Sequence, residues 1–501
     1  MEARLMNDIK PISHSSTSCW TCRRRRVKCD RGVPNCQRCL ISEEDCQGYS
    51  ATKPLRWTNG VASRGKLMGK SLPLPATKTH TSLKISLTDP VVQDLSPIDR
   101  RYIKYFDRYC SVESTLYESN DTNPFREFMR LIPSSTALPH TIISVAALHQ
   151  ARRRSTIKTI KLESSPAADV ADLSFDSKAV IEEDPHALYD CLKHKQYALK
   201  QIQKDILDAD HRNIEGTIAS MLLLVWQDLM DSGKDSWKYH LNALRKTAQL
   251  QKLSTKSSSR RSNSFDFKGL EEYLEITYAA LHILGTTFVQ SKDPYQPLFS
   301  TMPTQDMTKL SDGEVWAGCP AEILHIISTV NDISRTPSSP DGSATQIILA
   351  LDKFSPIKWA VESSQPSLMK SRYHLATVYK HSAMIYLHQV LGQLLHNCNV
   401  KITTLDSLDS VILHIQSIRP EDPHFKGLVW PAFVIGAETK TEAHRLIITR
   451  TFEHLCDLWR CQNVRNALDV LHDLWKRDDE NPEYTPWIGE IHRSGMDWIF
   501  V

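Results

Sequence analysis

Six cysteines between Cys19 and Cys46 are the residues whose type and spacing could do chemistry in this chain. They read C-x2-C-x6-C-x6-C-x2-C-x6-C, with Cys19, Cys22, Cys29, Cys36, Cys39 and Cys46 in the named positions. A shift of 17 residues lays Cys19 on Cys36, Cys22 on Cys39 and Cys29 on Cys46, so two arms should fold as approximate copies. A two-residue gap lets both thiolates of a pair turn toward one ion, and a helix starting there aims its free N–H groups at the sulfurs. Three sulfurs per arm leave each tetrahedral zinc one ligand short, a deficit that two bridging cysteines remove. The symmetry nominates Cys19 and Cys36 as the bridges, with Cys22 and Cys29 completing one ion and Cys39 and Cys46 the other. The expected cofactor is therefore zinc, two ions per chain. Arg and Lys around such a cluster offset its negative charge and lower the thiol pKa, which favours metal binding at neutral pH.

The two arms differ between their ligands. Arm one carries Arg23, Arg24, Arg25, Arg26 and Lys28, whereas arm two carries Glu43, Glu44 and Asp45, so only the first can face phosphate. On the six cysteines, the basic run CRRRRVKC, Pro34 between the arms and the QRC at the start of arm two, the segment resembles the fungal zinc binuclear cluster DNA-binding domain. That resemblance implies two short helices around two zinc ions. It also implies that a helix from Cys19 to Lys28 enters the major groove end-on. In family members the residues at the positions of Arg25 and Arg26 reach base edges, usually of a CGG triplet. Relatives often carry Lys there; Arg pairs bidentately with guanine O6 and N7, so a G-rich triplet remains the expected target. Arg23, Lys28 and Arg31 fit phosphate contacts, which fix register and generate salt dependence.

These residues need a platform, and the chain is long enough to supply one. Its 501 residues are 41% hydrophobic and 24% charged, near globular averages. Residues 1–78 hold 15 Lys and Arg against 6 Asp and Glu, while the rest holds 46 against 52. This asymmetry suits a polyanion-binding head on a mildly acidic body. No apolar run approaches the roughly 20 residues of a membrane span, and the N-terminus offers no signal-peptide core, so a soluble protein in a reducing compartment is expected. Residues 1–16 read as a disordered tail, 17–49 as the zinc module and 50–96 as a Lys/Ser/Thr/Pro-rich linker.

From 97 to 501 the chain reads as a large all-α domain. Stripes at three- and four-residue spacing begin with Ile98, Tyr102, Tyr105, Phe106 and Tyr109. They recur at 141–150, 188–206, 215–228, 237–250, 270–289, 374–395 and 443–475. Polar stretches near 152–185, 254–268 and 335–345 read as mobile inserts between helices. Phrases such as NPFREFMRLIP, SWKYHLNAL, LVWPAFVIGAE and SGMDWIFV resemble the fungal-specific transcription factor domain, which implies a regulatory role and an effector-sensing one. Trp237, His240, Trp430 and Pro431 are expected to pack. Residues 65–71 come close to a phosphate-binding loop, but its glycine spacing is one residue short and Pro73 and Pro75 forbid the following helix.

No GxSxG, HExxH or GxGxxG occurs, so no enzyme is expected. The leading reading is a nuclear, zinc-dependent regulator that binds DNA sequence-specifically at genes of RNA polymerase II. The competing one is a small-molecule-sensing regulator whose zinc module holds chromatin with little specificity. The expected partner is double-stranded DNA. A homodimer, a small-molecule effector and the transcription machinery are further candidates, and no membrane is expected. The linker shows no heptads, so dimerisation is open.

Overall fold

The computed structural model describes residues 13–52, 90–116, 123–163, 184–207, 214–257, 268–289, 318–335, 340–362, 366–394, 408–481 and 486–501. The chain divides into two units, Met1–Leu87 and Thr88–Val501. In the first, Cys19 and Cys36 each start a short helix, α1 (Trp20–Arg25) and α2 (Gln37–Ile41). Residues 13–16, read above as part of a disordered tail, pair instead with the loop after arm one. Ser15 N–H donates to the Arg31 carbonyl at 2.9 Å, Val33 N–H donates to the Ser13 carbonyl at 3.0 Å, and His14 bridges Gly32. The expected linker falls mostly outside the described residues.

The second unit is helical among its described residues. It opens with α3 (Pro97–Tyr105), α4 (Pro124–Arg130) and α5 (Ala137–Glu163), then α6 (Pro185–Leu207), α7 (Ile214–Asp231), α8 (Trp237–Ser257) and α9 (Lys268–Thr286). There follow α10 (Ala321–Arg335), α11 (Pro340–Lys353), α12 (Pro356–Val361), α13 (Met369–Leu394) and α14 (Leu408–Gln416). The last are α15 (Val429–Glu438), α16 (Glu442–Trp459), α17 (Gln462–Glu480) and α18 (Trp487–Arg493). Starts are capped as the residue types require: Ser96, Asn123, Ser355 and Thr441 each accept an N–H of the first turn. Two helices are buried all round and serve as core rods. Every residue of α7 from Gly216 to Met230 is buried, as is every residue of α15 from Val429 to Ala437. Helix α5 packs between α6 and α7, and α13 gathers α10, α12, α14 and α15 about itself. One contiguous core runs from Val92 to Val501.

The register differs from the sequence reading in places. Ile98 is exposed, and the inward seam is Tyr102, Ile103, Phe106 and Cys110, the last two on a widened turn at Phe106–Cys110. The stripe at 443–475 is two helices, broken where Arg460 adopts φ 50°. The expected insert at 152–185 begins inside helix, since α5 continues to Glu163, and 340–345 opens α11 with Pro340 at its first position. The remainder of the first insert up to residue 183, most of the second and residues 336–339 lie outside the described residues.

Candidate metal centre and nucleic-acid interface

The two helix starts bring thiols together. Cys22 N–H donates to Cys19 Sγ and Cys39 N–H to Cys36 Sγ, both at 3.3 Å, so each arm caps its helix with its first sulfur. Cys19 Sγ lies 3.6 Å from Cys36 and 3.8 Å from Cys39, and Cys22 lies 3.7 Å and 3.8 Å from the same two. Zinc–sulfur bonds of about 2.3 Å make a tetrahedron with edges of about 3.8 Å, so these four buried sulfurs fit one zinc ion. The remaining pair repeats the duplication in space. Cys29 Sγ accepts from the N–H groups of Cys19 and Arg31, and Cys46 Sγ from those of Cys36 and Gly48, each 17 residues on. Both border Cys19 and Cys36.

Cys19 and Cys36 thus border all the other sulfurs. Cys22 lies close to Cys39 as well as to its own arm, a neighbourhood that the 17-residue translation did not suggest. Burial, with the neighbouring sulfurs, pushes the Cys39 thiol up to about 12 and Cys22 higher still. Burial acts on Cys29 and Cys46 too, yet their paired backbone donors outweigh it and hold both below the ordinary thiol value. Burial likewise raises the Cys19 thiol; sulfurs crowded this closely suit a centre whose charge is balanced by divalent metal.

A polar collar that spacing did not reveal holds the arms. Asp30 accepts the N–H groups of Arg38 and Gln37, each at 2.9 Å, and these donors draw its carboxyl down to about 2. Thr21 Oγ1 donates to the Asp45 carbonyl at 2.8 Å and accepts from Gln47 N–H at 3.0 Å. Tyr49 Oη donates to the Gly32 carbonyl at 2.6 Å, and Trp20 Nε1 to that of Ser50 at 2.8 Å. The signal was the Gly-Tyr just after Cys46: Gly48 supplies a φ of 69° that turns the chain back, so that Tyr49 crosses to the opposite arm.

The basic face is less extended than expected. Helix α1 ends at Arg25, and Arg26 caps it at φ 57°, so Lys28 stands beyond the helix. Arg23, Arg24, Arg25, Arg26, Lys28 and Arg31 are all exposed. Arg25 lies 3.8 Å from Glu44, a contact that solvent weakens, and Arg23 stacks 4.9 Å from the Trp20 ring. Arg31, at φ 62°, donates to the Ser16 carbonyl at 3.3 Å. The side chains of Arg26 and Lys28 have no hydrogen bond or ion pair among the described residues.

The aromatic residues singled out in the body are packed. Trp430 is buried, donates to Thr287 Oγ1 at 3.1 Å and stacks on Tyr379; Trp237 donates to the Asp497 carbonyl. His240 lies 3.5 Å from buried Asp228, and burial lowers its pKa.

The fungal Zn(2)-Cys(6) binuclear cluster domain is matched over residues 17–56, and the fungal specific transcription factor domain over residues 101–501. The chain belongs to the fungal-specific transcription factor family. It is a DNA-binding transcription regulator with a zinc-binding N-terminal module. Similar proteins include the acriflavine sensitivity control protein acr-2 of Neurospora crassa, 21% identical over 96% of both chains. The phomenoic acid biosynthesis cluster-specific transcriptional regulator of Leptosphaeria maculans is 22% identical over 94% of this chain and 89% of its own. The arginine metabolism regulation protein II of Saccharomyces cerevisiae is 37% identical, over 18% of this chain and 10% of its own. No solved structure matches. No helix among the described residues is long and apolar enough to cross a membrane.

Proposed function

We propose that this regulator reads CGG-like triplets in the major groove at genes of RNA polymerase II, working in the nucleus with two zinc ions in its cluster. The carrying observation is α1: a short helix capped by a cluster sulfur, four consecutive exposed arginines, and a left-handed turn at Arg26 that ends it in solvent. Zinc locks the direction of α1 and supplies no other chemistry. Arg25 and Arg26 then contact base edges, while Arg23, Lys28 and Arg31 hold phosphates. Glu44 lies beside Arg25, and an exposed contact of this length gives way readily to a base or a phosphate.

The effector reading has a place in the helical unit. A cleft of about 460 Å³ lies between α10, α11 and α12, floored by Ile326, Phe354 and Trp359 and rimmed by Glu322, Lys353 and Lys358. Homodimerisation remains part of the proposal through its DNA signature. Site selection from random duplexes with the zinc-loaded chain tests the whole reading. Enrichment of a G-rich triplet supports it, and a fixed spacing between two triplets marks a dimer. Binding without enrichment refutes specific readout.

A further inference from the structure

Helix α6 turns one face to the core through Ala187, Cys191, His194, Ala198 and Ile202. Its outward face is mixed, with Lys193, Gln196, Lys200, Gln203 and Lys204 exposed beside an unusual number of large apolar side chains. Of the eighteen large hydrophobic side chains exposed among the described residues, six lie on these 23 residues: Tyr189, Leu192, Tyr197, Leu199, Ile206 and Leu207. Leu192, Leu199 and Ile206 stand seven residues apart, and Tyr189 extends the row by one turn. Seven-residue steps keep side chains almost in line along a helix, drifting by about 20° per step. Exposed Gln196 and Gln203 stand between these side chains, so the row is a narrow seam of one apolar residue every two turns, flanked by polar groups, of the kind that meets a second helix.

Charge decides which helix. Lys193, Lys200 and Lys204 run along one border of the row, exposed and without an ion pair among the described residues. The acids of α6 are engaged elsewhere: Asp190 accepts from Tyr102 Oη at 3.0 Å, and Asp205 from Gln201 at 2.8 Å and Thr217 at 3.1 Å. Lys195, on the other border, is committed to buried Asp228 at 3.0 Å. An antiparallel second copy would set the three lysines against one another, and a parallel copy would set them against Lys195. Like charges so placed oppose self-pairing, whereas carboxylates pair with them.

We propose that this face of α6 docks an amphipathic helix of a partner protein, its apolar stripe seated on Leu192, Leu199 and Ile206 and its Asp and Glu residues facing Lys193, Lys200 and Lys204. The face belongs to the helical unit, so its test does not depend on how DNA is read.

The probe is a labelled helical peptide of about 20 residues with leucines at three- and four-residue spacing and glutamates along one border, titrated against the full zinc-loaded chain. A twin peptide carries lysine at every glutamate. Saturable binding of the acidic peptide is expected, weakened about tenfold or more by Leu199→Asp and about fivefold by Lys193→Glu with Lys200→Glu. It should also weaken with added salt, and the twin should not bind. All three substituted side chains are exposed, so circular dichroism and melting should stay as in the parent. Equal affinity for the two peptides, or binding unmoved by either variant, overturns the proposal. So does a chain that ignores the peptide but self-associates until Leu199→Asp makes it monomeric, because the face would then serve a second copy.

Discussion

At the scale of single residues, the six cysteines are not equivalent. Cys19 and Cys36 touch both ligand groups, so Cys19→Ser should strip all zinc from the chain. Cys22→Ser and Cys46→Ser should each release one ion, and from different groups. Metal content per chain by mass spectrometry separates the cases, and equal loss from all three variants removes the bridging scheme. The arginines divide in the same manner. Arg26→Ala should cost about 1–3 kcal/mol on the preferred site and relax its triplet preference. Lys28→Ala should weaken all sequences alike and reduce the slope of log affinity against log salt by about 0.9. Competition binding at several salt concentrations reads both. The six cysteines stood out by their spacing, because metal geometry constrains it. The closeness of Cys22 to Cys39 did not, because the repeat is a translation along the chain and says nothing of how the two helix starts meet. The collar of Asp30 and Thr21 was hidden for a different reason: its bonds run to backbone groups, which leave no mark on the partner's residue type, and only Gly48-Tyr49 hinted at it.

At the scale of elements, the helices are individually ordinary, and their crowding makes them sensitive. Gly233, at φ 65°, sits where an added Cβ would fall 2.5 Å from Asn463 Cα at the start of α17. Gly233→Ala combines left-handed strain with a backbone clash and should cost about 3 kcal/mol, seen as a lower urea midpoint. The carboxyl of Glu438, at the end of α15, is raised by burial despite the donors Trp487 and Gln389. A carboxyl that holds its proton more tightly in the folded state stabilises the fold below its unfolded value, here about 4.5, and loses that contribution as pH rises through the raised value. Glu438→Gln should therefore flatten the fall in melting temperature as pH rises above the unfolded value, while keeping an acceptor for the indole. Helical class was legible along the second unit because three- and four-residue apolar spacing survives packing. Element limits were less so. RRRSTIKTIKLE was read as loop from its polarity, yet it holds neither Gly nor Pro and is rich in helix formers. PDGSAT was read as part of a mobile insert, while Pro340 simply occupies a first helical position, where its missing N–H costs nothing.

At the scale of the whole molecule, the two units rest on different forces. The first has a core made of its own cysteines with Val27 and Tyr49 packed on them; the second has a continuous apolar interior. Chelation should abolish DNA binding and the structure of the head while leaving the helical far-UV signal and the melting of Thr88–Val501 nearly unchanged. Coincident loss of both signals would show that the units fold as one. The interior of the second unit also closes late. Ile499 and Phe500 are fully buried, Phe500 stacks against Phe288 and Phe433, and the Val501 carbonyl accepts from Asn463 at 2.9 Å. On the ribosome, then, the head can take up zinc some 450 residues before the body can shut around Phe500. A frameshift between the head and that phenylalanine would yield a chain able to grip DNA without its body, and such alleles should act dominantly over an intact copy.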